Sequence, residues 1–197
     1  MNPPESAAPS VSLTAVERLE AFEEIKRVFA RRLRALDHRE WDVYPLLHTE
    51  DVVSETWGDL PEEAQPRTDG VSNRVVGRAA LQTTIREFID GPVRMTTVHH
   101  GHNPEITLTS DATATGVWAM EDELWWTHGE REERLKGYGH YYEEYAKVAG
   151  EWLISYRSLT RLREETTTGF YDFLLRTGDG PVGEGRPRAR ETGPSGL

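Results

Sequence analysis

The order in which a helix-like pattern and strand-like runs follow each other limits the folds that this chain can adopt. Between Ala15 and Leu36, apolar residues recur every three or four positions, the spacing of a helix that buries one stripe. From Arg94 to Arg163 the sequence instead contains long runs rich in Thr, Val, Tyr and Trp, which are typical of strands. This order predicts an α+β fold, in which helices cover one side of a curved antiparallel sheet.

Local signals place the boundaries of these elements. Thr14 and Glu17 have the spacing of a capping box, which marks the start of the first helix. Shorter helices are predicted over residues 40–47 and 77–90, with a strand over residues 51–57 between them. Turn signals separate the later strands at Asn103-Pro104, Ser110-Asp111, His128-Gly129 and Ala149-Gly150. Residues 1–12 are predicted to be disordered, residues 13–175 to form one domain and residues 176–197 to form a flexible tail.

Charge and composition restrict the partners of this chain. Its 34 acidic and 23 basic residues give a formal net charge of −11, which disfavours a nucleic-acid partner. The basic cluster Arg31, Arg32 and Arg34 is interpreted as a solvated helix face. No signal peptide is recognised, and no segment approaches the ~20 apolar residues of a membrane span. We therefore expect a cytoplasmic protein without a membrane partner. The chain contains no cysteine, so disulfides and thiolate metal sites are excluded.

Histidine and aspartate supply the candidate chemistry. His99, His100 and His102 lie on one predicted strand, where alternation places His99 on one face and the other two on the opposite face. This arrangement argues against a metal site, and we predict none. Asp37 ends the first helix, where it either caps the next segment or orients a histidine that acts as a general base. Their spacing in the sequence does not by itself indicate that Asp37 and His99 are in contact.

Aromatic residues on the later strands have two interpretations. Tyr138, His140 and Tyr142 share one strand face by the period of two, and Trp118 shares a face with Met120. Such residues either pack in an ordinary core or line a pocket for a flat or polycyclic ligand.

Three segments carry a resemblance to a known family. They are ALDHREWDVYPLL, TVHHGHNPEITLTSDATATG and GYGHYYEEYAKVAGEWLISYRSLTRLR. Together they resemble the SnoaL-like branch of the nuclear transport factor 2-like superfamily over about residues 14–163. That branch includes scytalone dehydratase, bile-acid 7α-dehydratase and hexachlorocyclohexane dehydrochlorinase. The resemblance implies a cone-shaped barrel of curved antiparallel sheet covered by three N-terminal helices, the cystatin-like fold.

The resemblance also implies site residues. Asp37 matches the aspartate and His99 the histidine of a dyad that removes a proton as water or halide leaves, and His140 matches a second histidine of the cavity. The tyrosine that often lies near the dyad aspartate is missing here. The aromatic residues expected to contact the substrate are Tyr44, Trp57, Trp118, Tyr138 and Tyr142.

The function implied is that of a cofactor-independent dehydratase, isomerase or cyclase. Its substrate would be a hydrophobic hydroxy- or keto-compound such as a steroid or polyketide. Two alternatives share the fold: a small-molecule-binding or accessory protein without catalysis, and the small subunit of a ring-hydroxylating dioxygenase. The resemblance further implies a homo-oligomer, either a trimer or a dimer.

Overall fold

The computed structural model describes residues 11–56 and 74–172. The expectations for residues 1–10, for Trp57, for the last three residues of the predicted domain (173–175) and for the tail over residues 176–197 lie outside this part of the chain. Ser12, which was assigned to the disordered N-terminus, is held by Asp111: its backbone N–H donates to Oδ1 over 2.6 Å. No helix in the two described ranges is long and apolar enough to cross a membrane.

The first helix, α1, spans Ala15–Asp37 and is capped as the sequence predicts. Thr14 Oγ1 accepts from the Glu17 backbone N–H over 3.3 Å, and the Glu17 carboxylate accepts from the Thr14 N–H over 2.8 Å. These reciprocal bonds satisfy two amides that a helix start leaves unpaired. One side of α1 buries the apolar residues Ala21, Ile25, Val28, Phe29, Leu33, Ala35 and Leu36.

The second predicted helix is shorter than expected and of a different type. Within residues 40–47 only Tyr44–Leu47 is helical, as one turn of 3-10 helix, and turns precede it. Pro45 explains the late start, because it has no N–H to donate and is tolerated only in the first turn of a helix. The helix predicted over residues 77–90 is present as α2, Arg78–Asp90.

Six strands form one unclosed sheet. They are β1 (His48–Glu55), β2 (Val75–Val76), β3 (Thr96–Leu108), β4 (Thr113–His128), β5 (Arg131–Val148) and β6 (Glu151–Thr166). Their order across the sheet is β2-β1-β6-β5-β4-β3. All neighbouring pairs are antiparallel except β1 and β6, which are parallel. The α+β class predicted from the sequence is confirmed, with one parallel pair in the sheet.

A β-bulge replaces the turn predicted at Asn103-Pro104. The pairing of β3 with β4 continues on both sides of these residues, and the register shifts between His102 and Glu105. Asn103 adopts a positive φ of 44°, which asparagine tolerates better than most residues. The two predicted strands are therefore one bent strand.

The sheet has two distinct faces. Its inner face lies against α1 and carries the buried residues of β4 and β5, including Trp118, Asp122, Tyr141 and Glu143. Its outer face carries the alternate residues, which are half-buried or exposed. The site described next lies where the end of α1 meets the inner face at β3.

Candidate active site

Asp37 and His99 are in direct contact. Asp37 is the last residue of α1, and its Oδ1 lies 2.6 Å from His99 Nδ1. The His99 backbone N–H donates to Asp37 Oδ2 over 3.0 Å, and Thr97 Oγ1 donates to Oδ1 over 2.9 Å. With the carboxylate accepting, Nδ1 carries the proton and Nε2 keeps the lone pair. This is the tautomer in which Nε2 can accept a proton from a ligand.

The ionised form of Asp37 is favoured in this setting. Partial burial acts to raise the pKa of Asp37, but the hydrogen bonds from His99 and Thr97 and the attraction of the imidazole outweigh it. The pKa of Asp37 is therefore lower than its usual value. A carboxylate that stays charged next to an imidazole stabilises the imidazolium that forms when the ring takes a proton.

A cleft of about 690 Å³ gives access to this pair. Both side chains are partly accessible, His99 at 10% and Asp37 at 20%. The cleft lies between α1 and β3, and it is lined by Lys26, Phe29, Ala30, Leu33, Arg34, Asp37, His38, His99, His100, Gly101, Pro104 and Trp118. An apolar wall with a few polar groups is typical of small-molecule sites.

The aromatic wall of the cleft is fixed by a closed ring of contacts. Phe29 and Trp118 stack in parallel with centroids 3.7 Å apart. Trp118 Nε1 donates to Tyr145 Oη over 3.0 Å, and that hydroxyl donates to Glu143 Oε2 over 2.6 Å. Glu143 Oε1 pairs with Arg32 over 2.8 Å, and the Arg32 guanidinium lies 5.1 Å from the centroid of Phe29. The orientation of both cleft rings therefore depends on buried polar groups.

A second ionic pair lies beside His99. Asp122 is the direct cross-strand neighbour of His99, and its Oδ2 accepts from Arg161 Nη2 over 2.6 Å. Asp122 is buried, and Gly137 makes room for the pair, because a Cβ at position 137 would overlap Asp122 Oδ1. This pair is not among the residues predicted from the sequence. The available signal was a carboxylate at the centre of an otherwise apolar stripe, Trp118, Met120, Asp122, Leu124 and Trp126.

Three predicted site residues are not in the cleft. Tyr138, His140 and Tyr142 alternate with the buried residues of β5 and lie on the outer face. His140 is the cross-strand neighbour of Ala119, which also points outward. The placement of His140 in a common cavity with His99 is therefore wrong, as is the placement of the two tyrosines there. The sequence predicted correctly that the three share a face, but it did not identify which face.

The remaining predicted residues divide between the core, the cleft and the part that is not described. Tyr44 is fully buried in the core, where its hydroxyl accepts from Arg157 Nη1 over 2.8 Å, and it does not line the cleft. Trp118 does line the cleft, whereas Trp57 lies outside the described residues. Within residues 11–56 and 74–172, no group of three or more His, Cys, Asp or Glu side chains is arranged to hold a metal ion.

Comparison with known proteins identifies the family. Residues 17–158 match the family described as the SnoaL-like domain. The chain therefore belongs to the SnoaL-like family, as the sequence analysis predicted from the resemblance.

Solved structures share the fold at low sequence identity. A candidate scytalone dehydratase from Novosphingobium aromaticivorans is 20% identical, with a TM-score of 0.62 over 77% of this chain and 91% of that chain. A hexachlorocyclohexane dehydrochlorinase from Novosphingobium barchaimii is 14% identical, with a TM-score of 0.64 over 79% and 96%. A candidate aromatic ring hydroxylase from Novosphingobium aromaticivorans is 16% identical, with a TM-score of 0.62 over 83% and 99%. The chain thus shares its fold with these three structures.

Proposed function

We propose that this protein is a cofactor-independent lyase or isomerase in which His99 is the general base and Asp37 orients it. The observation that carries the proposal is the 2.6 Å contact between Asp37 Oδ1 and His99 Nδ1 at the wall of an accessible cleft. A dyad of this kind needs no metal or cofactor to remove a proton. The dehydratase and dehydrochlorinase among the structural neighbours are named for eliminations, and an elimination includes the removal of a proton.

The proposed reaction begins with proton transfer to His99 Nε2. The proton comes from a carbon next to a carbonyl group, or vinylogous to it. The electron pair of the broken C–H bond then forms a C=C bond, either as a β-hydroxyl group leaves as water with the proton that the His99 imidazolium gives back, or as the carbonyl becomes an enolate that the imidazolium reprotonates at another carbon. Asp37 stabilises the imidazolium, and general-base catalysis of this type contributes about 10²–10⁴-fold to a rate.

The Asp122–Arg161 pair replaces His140 and the tyrosines as the polar partner of the dyad in this proposal. Asp122 lies on the same sheet face as His99 and is next to it across the strands, and it holds Arg161 of β6. Neither Asp122 nor the Arg161 guanidinium is among the residues that line the cleft, so the pair would support the dyad from beneath His99 without touching the substrate.

The proposed substrate is a hydrophobic hydroxy- or keto-compound of the steroid or polyketide type. Phe29, Leu33 and Trp118 supply an apolar, partly aromatic wall against which a flat ring system can pack. A protein of this fold that binds such a compound without converting it is the alternative, and the same experiment decides between the two.

The test is a comparison of His99→Ala and Asp37→Asn with the unmodified protein. A panel of steroid and polyketide hydroxy-ketones is screened for product by mass spectrometry and for exchange of the α-hydrogen with solvent deuterium. We expect both variants to lose about 10²–10⁴-fold in either rate, because the base or its orientation is removed. Deuterium exchange detects proton removal even when no group leaves.

His140→Ala is the matched control, since it removes an imidazole from the outer face of the same sheet. We expect it to keep the unmodified rate. A His99→Ala protein that turns over substrate or exchanges deuterium at the original rate would contradict the proposal. Binding of a panel compound without exchange in the unmodified protein would favour the binding-only alternative.

A further inference from the structure

In the described part of the chain, the core beneath α1 contains two guanidinium groups, and only one of them is paired with a carboxylate. Arg32 is fully buried and pairs with Glu143 over 2.8 Å. Arg157 is 5% exposed and is the cross-strand neighbour of Glu143 on β6. Among the residues that the structure describes, Arg157 has no carboxylate within ion-pair distance. We call Arg32, Glu143, Arg157, Tyr141 and His48 the core cluster.

The other buried or partly buried carboxylates at the described inner face, Asp122, Asp37 and Glu133, have partners of their own. Asp122, on the same sheet face, is paired with Arg161 over 2.6 Å. Asp37, at the end of α1, is in contact with His99. In the described part of the chain, the core cluster therefore contains two positive charges and one negative charge, a net charge of +1. A buried charge without a counter-charge is strongly unfavourable, so an arrangement of this kind calls for a further negative group.

His48 shows that the surroundings are electropositive. Its burial, together with the charges of Arg157 and Arg32, lowers the pKa of His48 to about 3. His48 is therefore neutral at physiological pH and adds no charge. Its Nδ1 donates to the Tyr44 carbonyl over 2.9 Å, and in the described structure its buried Nε2 accepts no hydrogen bond.

The hydrogen-bond donors of the core cluster are also in excess. Arg32 Nε and Nη1, Arg157 Nε and the Tyr141 hydroxyl are buried and have no hydrogen-bond partner among the described residues. The Arg32 guanidinium also lies over the Tyr141 ring, 5.0 Å from its centroid. Buried donors are nearly always paired in folded proteins. A water molecule would accept hydrogen bonds here but would not neutralise the excess positive charge. An anion would accept the hydrogen bonds and also neutralise the charge.

We propose that the core cluster binds one small monovalent anion, a halide or a carboxylate group, between Arg32, Arg157 and the Tyr141 hydroxyl. The anion completes the charge balance that Glu143 provides only in part. This site lies behind the aromatic wall of the cleft and is separate from the Asp37–His99 pair. The proposal does not rest on the proposed function, because it concerns the charge of the core in the resting protein.

The first test measures the Tm of the full-length protein while sodium chloride, sodium formate or sodium benzoate is increased. Binding to the folded state raises the Tm by about 3–5 °C for each tenfold rise in anion concentration above the Kd. Arg157→Met removes the excess charge and is expected to abolish this dependence. Arg31→Gln is the matched control, because it removes an exposed arginine of α1 that does not line the cleft, so only the general effect of salt on the Tm should remain.

The response to benzoate distinguishes two kinds of anion, a small free ion and the carboxylate group of an organic acid. A response to chloride and formate alone assigns the site to a small free ion. An equal response to benzoate assigns it to the carboxylate of an organic acid that enters through the cleft. If Arg157→Met keeps the anion dependence of the unmodified protein, the proposal is wrong.

A second test remains informative if Arg157→Met does not fold. Crystals of the unmodified protein are grown in sodium bromide and measured at the bromine absorption edge. We expect an anomalous peak within contact distance of Arg32 and Arg157. An empty anomalous map, with water between the two guanidinium groups, would overturn the proposal.

Discussion

His99 is held by Asp37 at both its backbone and its ring. The same carboxylate accepts from the backbone N–H, from the ring Nδ1 and from Thr97, so the ring is fixed relative to its own strand. Residues that fix a catalytic imidazole in this way determine its tautomer as well as its position. The Thr97 hydroxyl donates to the carboxylate and Thr97 is not among the residues that line the cleft, so its proposed role is that of a positioning residue.

Replacing Thr97 with valine tests this positioning role. The change removes one donor to Asp37 and keeps the shape of the side chain. Since a net hydrogen bond is worth about 0.5–1.5 kcal/mol, we expect kcat to fall roughly 2–10-fold with little change in KM. The exposed neighbour gives the control, Thr96→Val, which should keep the unmodified kcat. Equal kcat values for all three proteins would remove Thr97 from the site.

The buried histidine of the core cluster predicts how stability depends on pH. The usual pKa of His48, 6.5, is lowered to about 3 in the folded protein. Between these values the unfolded chain binds a proton that the folded chain does not, so stability falls as the pH decreases from about 6.5 to about 3. The slope from this one group is at most about 1.4 kcal/mol per pH unit.

His48→Gln should reduce that acid sensitivity. Glutamine has no titrating group, so the variant is expected to lose less stability than the unmodified protein between pH 7 and pH 4. Urea unfolding at several pH values measures the difference, and the carboxylates that titrate in this range contribute equally to both proteins. Parallel stability curves for the two proteins would show that His48 is not neutral in the folded state.

Some of the important residues can be predicted from the sequence and others cannot, for physical reasons. Asp37 and His99 were found because a resemblance supplied the partner that spacing could not. Arg32 was interpreted as part of a solvated face, yet it is fully buried. Helical periodicity does place Arg32 on the same face as Ile25 and Phe29. Its counter-charge, Glu143, is more than a hundred positions later in the sequence, so no local sequence pattern predicts the pair.

At the scale of elements, α1 and the inner face of the sheet together form the cleft. Phe29 on α1 lies over Gly101 on β3 and stacks on Trp118 on β4. The glycine is required by this close approach, because a Cβ at position 101 would overlap the Phe29 ring. The distance between the helix and the sheet is thus set where the aromatic wall of the cleft is formed.

Gly101→Val is expected to displace Phe29 and break its stack with Trp118. Overpacking of this kind typically destabilises a protein by about 1–3 kcal/mol. Urea unfolding measures the loss, and near-ultraviolet circular dichroism should report the altered environment of the rings. A change to valine at the exposed position Thr115 on β4 is the control and should leave both signals unchanged. An unaltered spectrum for Gly101→Val would show that the ring does not depend on this glycine.

The elements themselves were largely predictable, and the exceptions involve single residues. The apolar periodicity of α1 and the Thr- and aromatic-rich runs of β4, β5 and β6 gave the correct type of structure. Asn103-Pro104 was interpreted as a turn because both residues favour turns, whereas strand pairing on either side converts them into a bulge. The inner face of β5 could not be chosen locally, since tyrosines occur on both of its faces.

At the scale of the whole molecule, the outer face of the sheet carries the aromatic residues that the cleft does not use. Tyr142 is 41% exposed, and Tyr138 and His140 lie beside it on the same face. We propose that a second copy of the chain covers this face, in a dimer or a trimer. Exposed aromatic residues are enriched at interfaces between proteins.

Tyr142→Glu tests this association. Placing a charge within the interface is expected to shift the protein from an oligomer toward the monomer in sedimentation velocity experiments. Leu46→Glu is the control, since Leu46 is also exposed but lies in the 3-10 helix away from the outer face. A monomeric unmodified protein at micromolar concentration would contradict the proposal.

The parallel pairing of β1 with β6 has a consequence for how the protein is made. The Tyr156 hydroxyl donates to Glu55, 101 positions earlier, and Arg157 contacts Tyr44 across 113 positions. During synthesis the first helix and strand leave the ribosome long before the last strand exists. Folds dominated by such distant pairings form slowly. The apolar stripe of α1 therefore stays uncovered until the last strands have been made, and we expect the nascent chain to expose it during synthesis.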